Sequence, residues 1–168
     1  MSKVVIAQAS DETASEVISG MVGRFNIDWQ GMKVLVKPNM LGHFNFDENS
    51  GATTHPAVIQ AVVRTLGNQG ATVVVGDNPA LQGLKENQRC ARRSGILEAS
   101  EGTYLDISED KVEMSVNHSS LLDRIVVSRE VMDADYVVYV PRFKTHIFTT
   151  ISGAVKNMFG IVVGGDKP

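Results

Sequence analysis

The chain has 168 residues, 43% of them hydrophobic and 21% charged, the proportions of a folded protein rather than a disordered one. Its net charge of −3 confines any basic site to a local patch and argues against nucleic acid as a partner. The single cysteine, Cys90, forbids an internal disulfide and any metal or iron–sulfur site made of this chain's cysteines alone. No secretory leader opens the sequence and no apolar run approaches ~18 residues, so the expected location is cytoplasmic, without a membrane partner.

Lys3–Ala7 reads as a short apolar strand, and Asp11–Gly23 as a helix capped by Ser10 or Asp11, with Val17, Met21 and Val22 inward. Gly31 turns the chain into a buried strand, Met32–Val36, which stops at Lys37-Pro38-Asn39, where the proline biases Lys37 towards extended backbone. Met40–Thr54 is a long loop carrying His43, Phe44 and Phe46, and its glycines predict a lid over Gly42–Ser50 that orders only on a ligand. His55-Pro56 then opens the best helix in the sequence. Pro56 fits the first helical position, where a missing N–H costs nothing, and Val58, Ile59, Val62, Val63 and Leu66 form the inward stripe, closed by Gly67 or Gly70. His55 is either the cap of that helix or a ligand-facing group.

Ala71–Val75 is a third buried strand, ending in Gly76-Asp77-Asn78-Pro79, and Leu84–Ser94 a more polar helix ended by Gly95. Cys90 lies in a polar stretch among Arg89, Arg92 and Arg93, a setting that suits either a thiol of depressed pKa or, the favoured reading, an incidental one. Tyr104–Ile107, Val112–Val116 and Arg124–Val127 are weaker strands, partly antiparallel, with His118 in a polar surface turn.

Tyr136–Val140 has the apolar, β-branched character of a strand buried on both faces, and Pro141 ends it. Arg142, Lys144 and His146 follow, then a helix-like segment from Thr149 or Thr150 that would pack by Ile151, Val155, Met158 and Phe159. Ser152 and Lys156 lie one turn apart on a neighbouring face. Ser152 doubles as a candidate cap. Lys156, beside the apolar stripe, is either partly desolvated or snorkels to solvent, and Gly160 suits a left-handed position after the last turn.

Alternation of strand and helix predicts an α/β fold with a mainly parallel sheet flanked by helices and a partly antiparallel excursion around 103–128. In open sheets of this kind ligands bind beyond the carboxyl ends of the strands, so the turns holding Lys37, Asp77 and Lys144 should share one rim. Lys37, Lys144 and Lys156 would hold a small anion there, with Asn39, Asp77, Asn78, Ser152 and Asn157 as further substrate-binding residues. Lys144 and His146, two apart, point the same way on extended backbone. His146, Lys156 and His55 are the candidates for proton transfer, and the two histidines for metal ligation. No dinucleotide or P-loop glycine fingerprint, H-E-x-x-H or C-x-x-C occurs, which disfavours those enzyme classes.

The run PRFKTH followed by SGAVKNMFG, with the upstream KPN, THP and GDNPA, resembles the family of domain of unknown function 362 over roughly Val34–Gly165. The resemblance implies one α/β domain over 1–168, short at its C-terminus, because family members are usually longer. Many members carry a cysteine-rich, ferredoxin-like segment, which implies a redox link. With one cysteine this chain alone ligates no iron–sulfur cluster, so the implied partner is an iron–sulfur protein or a missing C-terminal segment. The pattern His146…Ser152-Gly153…Lys156 also resembles, more loosely, a segment of nickel-pincer lactate racemases. Three readings therefore stand. The first is an enzyme-like domain doing redox or proton-transfer chemistry on a small anionic metabolite or cofactor. The second is a non-catalytic accessory module docking to an iron–sulfur electron-transfer partner, and the third is racemase-like metal-cofactor chemistry. Cofactor and metal stay open.

Overall fold

The computed structural model describes residues 3–41, 51–79, 84–117 and 123–163. Strand β1, Lys33–Pro38, is the middle of a three-stranded parallel sheet, with β2, Thr72–Val75, on one side and β5, Tyr136–Val140, on the other. Val34, Leu35 and Val36 are all essentially inaccessible, so both faces of β1 are covered and its apolar run has no polar alternation. Val36 stands opposite Val75 and Val138, and Pro38 opposite Val140. Lys37 and Pro38 thus continue the strand rather than turn out of it. The outer edge of β2 is covered by an isolated parallel bridge from Tyr104, whose neighbours Thr103 and Leu105 exchange hydrogen bonds with Val75.

Helix α1, Ala14–Gly23, packs against α2, Pro56–Asn68, and α2 is the main cover of the sheet. Ile59, Val62, Val63 and Leu66 recur at helical spacing and are buried with Val34, Val36, Val73 and Val75. Each such side chain contributes about 1.5–3 kcal/mol by leaving water. The helix starts where His55 Nδ1 accepts the Ala57 N–H at 3.3 Å, with Pro56 at its first position, and is followed by Gly70 at φ +85°, which needs glycine. Two further helices, α3 (Leu84–Arg93) and α4 (Ile96–Ala99), bury Ala91, Ile96 and Ala99 in the same core. Strands β3, Lys111–Ser115, and β4, Arg124–Ser128, form the antiparallel excursion, followed by the short α5, Arg129–Met132.

Several expectations change. Residues 3–7 form no strand, and Val4 and Ile6 are 80% and 91% exposed; β1 is already paired on both sides, and this run does not pair with the open edge of β5. The second concerns β5, which is paired on one side alone among the described residues, so its residues are half-buried or exposed rather than enclosed. The helix expected from Thr149 or Thr150 is instead a hairpin of β6, Lys144–His146, and β7, Thr150–Ser152, followed by a single turn, α6, Ala154–Asn157, and a 3-10 turn over Met158–Ile161. Its supposed packed face is outward: Ile151, Val155, Met158 and Phe159 are 56%, 81%, 45% and 52% exposed. The fourth is Gly160, whose backbone is not left-handed; the place is glycine for want of space, as described below. The lid expected over Gly42–Ser50 and the surface turn at His118 lie outside the described residues.

Candidate functional site at the carboxyl rim of the sheet

The largest fully buried side chain among the described residues is charged. Lys37, at the end of β1, has no solvent exposure. A buried ammonium is tolerable only when its donors are satisfied. Lys37 Nζ donates to Asp77 Oδ1 at 2.5 Å, Asn157 Oδ1 at 2.9 Å and the Pro38 carbonyl at 3.1 Å, which uses all three N–H bonds. Asp77, two residues past β2, accepts in turn from the Met40 N–H at 2.8 Å and the Asn78 N–H at 2.9 Å. Asn157 Nδ2 donates back to the Lys37 carbonyl at 3.4 Å. The group is closed on itself: it locks β1, the turn after β2, and α6 together. Gly160 caps it. A Cβ there would lie 2.5 Å from Lys37 Cε and Nζ and would also overlap Asp77 Oδ1.

Two further polar sets brace the rim. The Thr54 hydroxyl donates to the Val140 carbonyl at 2.5 Å and accepts the Asn39 N–H at 2.7 Å, so it ties the ends of β1 and β5. Asn78 Nδ2 donates to the Val162 carbonyl at 2.9 Å, and Asn78 Oδ1 accepts from Asn87 Nδ2 at 3.1 Å. Asn87, with no solvent exposure, also reaches Asp106 Oδ1 and Ser108 Oγ, each at 3.0 Å. Sequence reasoning missed Thr54, Asn87 and Asp106. A polar helix shows no outward sign that one of its asparagines is interior.

Outside this braced layer lies a row of cations. The Lys144 amine, half-buried, donates to the Ala52 carbonyl, and Arg142 Nε donates to the Gly51 carbonyl at 2.9 Å. Burial first, then the charge of Lys156, lower the Lys144 pKa to about 8; Asp77 pulls the other way, and Arg142 adds a smaller lowering. His146 is likewise held below its ordinary 6.5, by desolvation and then by Lys156 and Lys144. Its Nδ1 accepts the N–H groups of Phe148 at 3.2 Å and Thr149 at 3.4 Å, so the neutral ring carries its proton on Nε2. Residues 141–163 hold three Lys or Arg and no Asp or Glu.

The structure therefore sorts the sequence candidates into groups. Lys37, Asp77 and Asn157 meet directly, Asn39 and Asn78 are buried braces beside them, and Ser152 is buried opposite Lys144 in the hairpin. Gly153, not Ser152, occupies the cap position of α6. Lys144, Lys156 and His146 share one electrostatic field. His55 stands apart, as the cap of α2; the same Nδ1 lies 3.5 Å from Asp11 Oδ1, but a nitrogen accepting from Ala57 cannot also donate to a carboxylate. Lys156 is half-buried beside exposed Val155 and Phe159, so the apolar enclosure expected around it is absent. Cys90 is buried and its thiol is pushed up, by burial first and then by Glu86 and Asp77, which outweigh Arg89 and Arg93; it is no poised thiolate. Among the described residues no group of three or more His, Cys, Asp or Glu side chains could hold a metal ion.

The family model described as domain of unknown function (DUF362) matches residues 34–168. A thylakoid-associated protein of Synechocystis is 32% identical over 163 residues, covering 95% of this chain and 47% of that protein. The chain thus spans about half the length of this curated relative. No solved structure matches.

Proposed function

The chain belongs to the DUF362 family, and from that premise and the rim geometry we propose that it is an enzyme-like domain that binds a small anionic metabolite or cofactor at the carboxyl ends of its strands. One observation carries the reading. The Lys144 amine is repelled by Lys156 and Arg142, with His146 held towards its neutral form by desolvation and then by Lys156 and Lys144, and the carboxylate that opposes this at Lys144, Asp77, is already engaged by Lys37 and two backbone N–H groups. Such an arrangement leaves positive charge to be compensated by a ligand. A bound carboxylate or phosphate would restore the Lys144 ammonium and relieve the repulsion. His146, with the proton on Nε2, is the group placed to exchange a proton with it, while Lys37, Asp77 and Asn157 hold the frame.

Titration calorimetry with inorganic phosphate and with malonate tests this. Binding should be measurable in low salt, and Lys144→Met and Lys156→Met should each weaken it at least about tenfold, or ~1.4 kcal/mol. An iron–sulfur protein is the partner that family resemblance suggests, for an enzyme or an accessory module alike. Absence of binding to either anion, or binding unchanged in both variants, would favour the accessory module.

A further inference from the structure

Beyond the rim, residues 143–159 carry the largest concentration of exposed apolar side chains on the described surface. Phe143 is 74% exposed, Ile147 90%, Phe148 88% and Val155 81%. Single exposed apolar residues need no explanation, but a run of them on one short segment does. Their arrangement is specific. β6 and β7 pair Thr145 with Ile151 on the outward side of the hairpin, while the polar or basic Lys144, His146 and Ser152 alternate with them. Ile147 and Phe148 form the turn at its tip. His146 holds that turn, accepting the Phe148 and Thr149 N–H groups, its ring 6.0 Å from the Phe148 ring.

Charge selects the occupant. Residues 141–163 contribute Arg142, Lys144 and Lys156 with no acidic residue, so the remainder of the chain carries −6 against −3 for the whole. The segment that carries the exposed apolar tip is therefore basic within an acidic chain. An acidic protein would match the charge, but protein interfaces are patches with a well-packed centre. A two-residue apolar apex behind which cations stand instead matches a lipid interface, where the apex reaches the acyl boundary and the cations stay at headgroup depth. We propose that the β6–β7 hairpin docks the protein on an anionic lipid surface, Ile147 and Phe148 inserting and Arg142 and Lys156 facing headgroups. Spanning is not required, and none of the described helices is long and apolar enough to cross a membrane.

The docking uses the apolar tip, which the small-anion reading does not need, so the two can fail separately. The test is co-sedimentation with mixed phosphatidylglycerol–phosphatidylcholine vesicles against pure phosphatidylcholine vesicles, alongside the phosphate titration. The expected result is binding at least tenfold stronger to the anionic vesicles, lost on raising salt to ~0.5 M, where charges are screened within a few ångströms. Ile147→Asp with Phe148→Asp should reduce it at least tenfold, as should the uncharged Ile147→Ser with Phe148→Ser, with phosphate binding and thermal unfolding unchanged in both. No preference for anionic vesicles, or equal binding by the tip variants, overturns the proposal even where phosphate still binds. So does sedimentation of the free protein as a dimer that the tip variants dissociate, which would assign the hairpin to a second copy of the chain.

Discussion

Lys37 and Asp77 meet at 2.5 Å although forty positions separate them, and their side chains are 0% and 3% exposed. The contact crosses from the end of one strand to the turn after its neighbour, so it reports directly on how the rim is assembled. Neither group could be left there without the other, because a lone buried charge has no water to stabilise it.

Asp77→Asn is therefore expected to destabilise the fold by about 3–5 kcal/mol, the cost of stranding one member of a buried pair. The double variant Lys37→Met with Asp77→Asn should recover part of that loss, since it leaves no unpaired charge. Urea unfolding followed by fluorescence would measure both. The probe is built in: the single tryptophan, Trp29, is buried and packs edge-on against Tyr136 of β5 at 5.1 Å, so it senses the sheet. Equal stability of Asp77→Asn and the wild-type chain would mean that the pair is not buried in solution.

Lys144 should titrate near pH 8 rather than near 10.5. Its folded-state pKa is depressed, so the fold disfavours the charged amine. Its contribution to stability is full above about 10.5, falls as pH drops from there towards 8, and is level below that. Amine acylation followed by peptide mass mapping should show Lys144 half-reactive near pH 8, and phosphate should move the midpoint upward by neutralising the neighbouring charges. A midpoint above 10 would mean that neither burial nor neighbouring cations act on the Lys144 amine.

His146 makes the hairpin tip sensitive to acid. Protonation turns Nδ1 into a donor and breaks its bonds with the Phe148 and Thr149 N–H groups. The folded-state pKa lies below 6.5, so the stabilisation is complete above 6.5 and is lost as pH falls from there through the folded value. Amide exchange at Phe148 and Thr149 should accelerate over that range after correction for intrinsic rates. In His146→Ala it should be fast at every pH. Protection that survives once the ring is protonated, as read from its NMR shifts, would show that the turn does not depend on the imidazole.

The central strands and α2 were legible because their chemistry is local: apolar β-branched runs, a proline at the first helical position, and a stripe at Ile59, Val62, Val63 and Leu66. Placing polar strand ends on one rim was legible too, since parallel strands have one carboxyl edge, and the Lys37–Asp77 contact follows from it. The final segment misled for a physical reason. Ile151, Val155 and Phe159 recur at helical spacing, but periodicity records where apolar residues fall, not whether anything covers them. Gly160 misled similarly. Glycine satisfies both a left-handed backbone and a close approach, and here Lys37 and Asp77 leave no room for a Cβ. The buried role of Asn87 depends on partners at 78, 106 and 108, none within its own helix.

The order of the sheet also has a temporal side. The middle strand, β1, lies beside β5, and the Lys33 N–H bonds the Asp135 carboxylate across 102 positions of chain. Closing so long a loop is slow compared with forming a local hairpin. During synthesis β1 and β2 can join once β2 has followed α2 out of the ribosome, but the Val-rich flank of β1 must then wait uncovered until residues 136–140 emerge. That interval is when this chain most risks pairing with the wrong neighbour.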